Sequence, residues 1–133
     1  MADLQAVFYR DAHGREPVRE FLNALDDDSQ AAIEHQIGRL NLLSDATPHL
    51  PFPHSSQVDG ELRELRCHHG RNLSRILYRR SEQLVVLLHI FAKRSAKIDR
   101  RDIGIAQERW EDFKARMDRQ PRIPPRAAGH DAP

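Results

Sequence analysis

A single cysteine, Cys67, stands among 133 residues. It cannot form an internal disulfide, and a reducing cytoplasm is the natural compartment. No apolar run approaches the ~20 residues that a membrane-spanning helix needs. The opening MADLQAVFYRDAHG lacks a basic start and a long apolar segment, so no secretory signal is read. "CHH" at 67–69 offers a thiolate and two imidazoles, but adjacent residues chelate one ion poorly. No second Cys and no His-x3-His spacing supports them, so neither metal nor cofactor is expected. Glycine-rich phosphate loops, a nucleophile elbow and internal repeats are also absent. Cys67 has no activating partner beyond the neighbouring histidines, which makes it a weak nucleophile candidate.

What is present reads as one folded, soluble domain: 39% hydrophobic and 31% charged residues. The net charge of +1 hides a segregation. Residues 1–60 hold 4 Lys/Arg against 10 Asp/Glu, residues 61–101 hold 11 against 4, and residues 102–133 hold 6 of each. A basic middle behind an acidic start suits a polyanionic partner; a solvated sheet with arginine-rich edges is the alternative.

Periodicity predicts the order β-α-α-β-β-β-α, an α+β domain with helices mainly on one sheet face. LQAVFYRD (4–11) alternates as a strand. EPVREFLNAL (16–25) spaces Val18, Phe21, Leu22 and Leu25 as a helix, with Pro17 near its start. DDDS (26–29) ends it and caps a second helix carrying Ile33, Ile37, Leu40 and Leu43, giving a hairpin over 17–44. The stretch 44–60, with three prolines, is expected to be a loop. Strands are predicted at 61–67, 72–80 and 83–91, joined by turns short enough for antiparallel neighbours. The last is nearly all apolar, so it should be central and covered on both faces. DRRDIGIAQERWEDFKARMDR (99–119) places Ile103, Ala106, Trp110, Phe113 and Met117 on one stripe, with Asp99 as N-cap. The domain is expected to span 1–119, with a disordered Pro/Ala-rich tail at 120–133.

The last strand runs directly into HIFAKRS (89–95), a cluster of cations at the end of an apolar element. If the hairpin covers one face, the other can expose charges from three strands. Arginine forks match phosphate oxygens and lysine supplies a point charge, so such a face suits RNA. Cleaving RNA requires no metal. The ribose 2′-OH attacks its own phosphate when a base takes its proton; an acid protonates the leaving 5′-oxygen, and cations stabilise the phosphorane. Glu64, His68, His69 and His89 are candidates for base or acid. Arg66, Arg75, Lys93, Arg94 and Lys97 are candidates for charge stabilisation or RNA binding, with Arg71 in the neighbouring turn. Tyr78 or Phe91 could stack a base. Each has a plainer alternative. His89 could be a hydrogen-bonded core histidine, Glu64 and Arg66 a cross-strand ion pair, His68 and His69 solvent-facing turn residues, and Tyr78 and Phe91 core.

The segments GELRELR (60–66), RILYR (75–79) and VVLLHIFAKRSAKI (85–98), with the basic opening of the last helix, carry a family pattern. They resemble the phage-derived HigB-like toxins of the RelE/ParE superfamily over about residues 60–112. The resemblance implies a RelE-like fold, an antiparallel sheet packed by an N-terminal helical hairpin and a C-terminal helix. It also implies the toxin of a type II toxin–antitoxin pair: a metal-independent, ribosome-dependent mRNA endonuclease leaving a cyclic phosphate and a 5′-OH end. The partners implied are the ribosome, mRNA and a HigA-like helix-turn-helix antitoxin, with no membrane. The matching positions are Glu64, Arg66, Arg75, Tyr78, His89, Lys93 and Arg94. In this scheme Arg66 and Arg75 contact phosphate, and Lys93 with Arg94 stabilises the transition state. The base is open between His89, a turn histidine and a group of the ribosome. Two alternatives share the fold or origin: a ParE-like topoisomerase-binding toxin and an inactive phage-derived binding module.

Overall fold

The structure, a computed structural model, describes residues 3–119 and 127–129. Its elements are β1 (Gln5–Phe8), α1 (Pro17–Asn23), α2 (Asp27–Leu40), β2 (Ser55–Asp59), β3 (Leu62–His69), β4 (Asn72–Ser81), β5 (Leu84–Ala92) and α3 (Arg100–Arg119). Local chemistry sets the helix starts. Pro17 occupies the first turn of α1, where its missing N–H costs nothing. Asp26 caps α2 by accepting from Ser29 N at 2.7 Å. Asp99 accepts from Arg101 N at 2.8 Å at the head of α3. No described helix is long and apolar enough to cross a membrane.

The sheet has five strands in the order β1-β5-β4-β3-β2. β5 is internal, as its apolar sequence demands. β1 runs parallel to β5, while the other pairs are antiparallel. The sheet is therefore mixed, not the antiparallel sheet expected. Five of the eight elements intervene between β1 and β5, so β1 is free to join from the far side and fill the edge of β5 that β4 leaves open.

A second correction concerns 44–60. The prolines at 48, 51 and 53 do form a loop, but SSQVD after them is β2. It is polar because it is an edge strand, bonded on one side only. A third concerns the helices. α1 and α2 pack with Phe8, Leu65, Ile76, Val85 and Leu87 in one core. Ala106, Trp110 and Phe113 of α3 pack with Val7, Leu77, Val86 and Leu88 in another. The helices thus cover both faces, and the strongly apolar β5 is what feeds both cores.

Residues 120–126 and 130–133 of the expected tail lie outside the described residues. Residues 127–129 return to the sheet, unlike a disordered tail. Ala127 bridges Val7, and Ala128 N donates to Ala6 O at 2.8 Å. Asn41 Oδ1 accepts from Ala6 N at 2.8 Å, and its Nδ2 donates to Ala128 O at 3.0 Å. Gly129, at φ +98, lies so close to α2 that a Cβ would stand 2.9 Å from Gly38 Cα.

Candidate functional site

A β-bulge decides which way His89 points. Leu77 pairs with His89 and Tyr78 with Leu87, which leaves Leu88 as the extra residue of β5. Leu88 packs in the α3-side core, and His89, instead of flipping to the hairpin side, also faces α3. Bulges commonly re-aim a side chain in this way. Two cross-strand rows result on the α3 face: Glu64–Leu77–His89, and Arg66–Arg75–Phe91.

The first charged group is a chain of ions beneath the surface. Arg66 Nε donates to Glu64 Oε1 at 3.1 Å, and Ser56 Oγ donates to the same oxygen at 3.0 Å. Arg75 Nε stands 3.5 Å from Glu64 Oε2, and its Nη2 donates to Ala96 O at 3.2 Å. Glu64 is 3% exposed and Arg75 1%. Glu64 therefore neutralises two arginines that cross-strand pairing would otherwise set face to face. This corrects the expectation of an open charged face. Glu64 and Arg75 are buried, Arg75 with its bond to Ala96 of the link after β5, and of the three only Arg66 is partly accessible.

The second group is organised by Asp102, in the first turn of α3 and buried. Its Oδ1 lies 2.8 Å from His89 Nε2, and its Oδ2 accepts from Arg94 Nη2. On the other side of the ring, Arg109 Nη1 lies 3.4 Å from His89 Nδ1 and donates to Leu88 O at 2.8 Å. Burial holds His89 below the usual imidazole range, and the charges of Arg109 and Arg94 push the same way against the Asp102 bond. His89 is thus neutral at pH 7, with Nε2–H donating to Asp102 and Nδ1 accepting from Arg109. The hydrogen-bonded histidine is realised, with Nδ1 in its weaker contact. Phe91 stacks on His89 with centroids 5.3 Å apart, and the Arg94 guanidinium lies 5.4 Å from the Phe91 centroid.

Around this group the cations are open to solvent. Lys93, Arg94 and Lys97 are exposed, as is Arg71. Lys93 N donates to Leu73 O at 2.8 Å, which sets the turn carrying Arg71 beside the end of β5. A shallow pocket of about 400 Å³ opens here, lined by Phe91, Arg94, Lys97, Asp99 and Arg100.

Other candidates fall elsewhere. Tyr78 faces the hairpin-side core, 4% exposed, with its hydroxyl 2.5 Å from Ser55 Oγ. It is on the wrong face to stack a base at this site. His68 is exposed, but His69 is buried, with Nε2 2.9 Å from Ser74 Oγ. Burial pushes the Cys67 thiol far up, so no thiolate forms near neutrality. Among the described residues, no group of three or more His, Cys, Asp or Glu could hold a metal ion.

Sequence reading missed Asp102 and Arg109. The signal was available: Asp102, Ala106, Arg109 and Phe113 fall on one helical flank, and a carboxylate set between core positions requires partners.

Residues 20–111 match the family model described as "Phage derived protein Gp49-like (DUF891)". No curated protein matches the chain. The matched stretch contains both ion groups, from Glu64 to Arg109.

Proposed function

From the premise that the chain belongs to the Gp49-like phage-derived protein family, we propose that it is the toxin of a type II toxin–antitoxin pair. It acts as a metal-independent endonuclease on mRNA held in the ribosome, and a small helix-turn-helix antitoxin of the HigA-like kind is its partner. The reading rests above all on Asp102, which grips His89 and Arg94 together at the head of α3 beside the exposed Lys93, Lys97 and Arg71.

In this mechanism the exposed cations hold the scissile phosphate. Arg94, fixed by Asp102 and stacked on Phe91, presents its remaining donors to the phosphate oxygens as charge builds on them. Lys93 adds a mobile point charge. Glu64 and Arg75 act from beneath, bracing Arg66 and the 93–99 link. His89 is the proton acceptor. Asp102 fixes its tautomer, and the substrate 2′-OH takes the place of Arg109 on Nδ1. The attack forms the O2′–P bond and breaks P–O5′. The leaving 5′-oxygen takes its proton from the ribosome or solvent, giving a cyclic phosphate and a 5′-OH end.

The occupancy of both His89 nitrogens also favours a second reading, in which a protein of this fold binds a topoisomerase and cuts nothing. One experiment separates them. The protein is induced briefly in cells lacking its operon, and new RNA 5′ ends are mapped with Lys93→Ala as control. Ends bearing 5′-OH, phased with codons and absent in the variant, support ribosome-coupled cleavage. Arrest with a DNA-damage response and no such ends supports the topoisomerase reading.

A further inference from the structure

Phe52 is one of only two large apolar side chains strongly exposed among the described residues, at 75%. The other, Leu42, follows α2, on the hairpin side of the sheet. Phe52 instead stands beside the ion chain: the Arg66 guanidinium lies 5.9 Å from its ring centroid. Arg66 is in turn held by Glu64. The series Phe52, Arg66, Glu64, Arg75 and Ala96 therefore leads from the exposed ring to the basic link of the candidate site.

The ring is presented by an anchored turn. His54 N and Ser55 N both donate to Pro51 O, at 3.0 and 3.3 Å, and Arg66 N donates to His54 O at 2.9 Å. Pro51 and Pro53 flank Phe52 and fix their own φ angles. An aromatic ring held out into water, with little backbone freedom left to lose, makes no sense as core. It does suit a ligand with a flat apolar face.

We propose that Phe52 is a stacking platform for an unpaired base of single-stranded RNA, with Arg66, which lies over the ring, drawing the adjoining phosphate. This deepens the RNA-cleaving reading above and rests on it. The exposed cations give phosphate affinity without regard to bases, while stacking on a ring adds affinity that depends on a base being present. Phe52 would thus fix where along the strand the scissile bond falls relative to Arg94. Sequence reading sought this platform at Tyr78 or Phe91, which are 4% and 7% exposed.

The test uses two fluorescein-labelled oligomers of equal length: an unstructured single-stranded hexaribonucleotide, and an abasic hexamer with the same sugar–phosphate backbone. Anisotropy titrations at one ionic strength compare the full chain with Phe52→Ala and Phe52→Tyr. Wild type should bind the base-bearing oligomer about 10-fold more tightly than the abasic one, the scale of one stacked base. Phe52→Ala should lose that margin while binding the abasic oligomer unchanged, and Phe52→Tyr should keep it. Far-UV circular dichroism verifies that the variants fold. If wild type prefers the base-bearing oligomer and Phe52→Ala does so equally, Phe52 is not the platform, though the RNA reading stands. If Phe52→Ala weakens both oligomers alike, the ring acts on the site's shape and stacking is refuted. Wild type binding neither oligomer defeats the RNA reading and this inference together. RNA binding unchanged in Phe52→Ala, with loss of antitoxin binding, would reassign the ring to a protein contact.

Discussion

Replacing Glu64 with leucine tests whether the ion chain is structural. The substitution nearly conserves volume but removes the one carboxylate shared by Arg66 and Arg75. The two arginines fare differently. The Arg66 side chain is 28% exposed and can turn to water, whereas that of Arg75 is 2% exposed and keeps only its bond to Ala96 O. Leaving one partner of a buried pair uncompensated costs about 3–5 kcal/mol, a large share of the ~5–15 kcal/mol that holds a domain folded. Taking about 3 kcal/mol, and roughly 3–4 °C per kcal/mol at this chain length, Tm should fall by roughly 10 °C. Thermal and urea unfolding, followed by circular dichroism and by Trp110 emission, gives the number. The double variant Glu64→Leu/Arg75→Met should recover about half the loss or more, because an apolar pair of similar volume often replaces a buried ion pair without net cost. A single variant melting within about 2 °C of wild type, or a double variant as unstable as the summed singles, would refute the claim that Glu64 exists to neutralise a buried Arg75.

Three other outcomes follow from the geometry. His89 is held below its usual range, so the folded state favours the neutral ring. Its contribution is present above ~pH 6.5, the unfolded value, and is lost as pH falls below that toward the folded value; Tm of wild type should therefore drop more steeply on acidification than Tm of His89→Gln, and equal slopes would count against the assignment. Lys93→Ala should leave Tm almost unchanged, since the side chain is exposed, yet reduce the salt slope of single-stranded RNA binding by about 0.7, the share of one phosphate contact. Asn41→Ala removes the acceptor for Ala6 N and the donor to Ala128 O, costing about 1–3 kcal/mol; hydrogen exchange should quicken at Ala6 and Ala128 more than at β4.

The elements with internal periodicity were legible without coordinates. The stripe from Ile103 to Met117 is the buried face of α3, and the nearly unbroken apolar run of β5 is internal to the sheet. What escaped is set by distant parts of the chain. Nothing in SSQVD distinguishes a polar edge strand from a loop, because its pairing depends on β3 being beside it. The parallel direction of β1 depends on which edge of β5 is left open. The site divides likewise. The exposed cations Lys93, Arg94 and Lys97 follow from their place after an apolar strand. The burial of Glu64 and Arg75 does not, since it depends on the pairing of β3 with β4 and on the link that meets Arg75 through Ala96. The role of Asp102 becomes visible only when the bulge at Leu88 turns His89 toward α3.

The stitch between β1 and residues 127–129 joins two segments that both lie outside the matched stretch 20–111. It works as a belt whose buckle is Asn41, drawn around a core of hairpin, antiparallel strands and final helix. Whatever loosens one end of the belt loosens the other. Cutting the chain after residue 126 would bare the outer edge of β1, and unpaired strand edges recruit further copies. A bulky fusion placed beyond Gly129, where the backbone already touches α2, strains the same buckle. Preparations tagged at opposite ends should therefore differ in their tendency to self-associate, with the proposed RNA face unaltered in both.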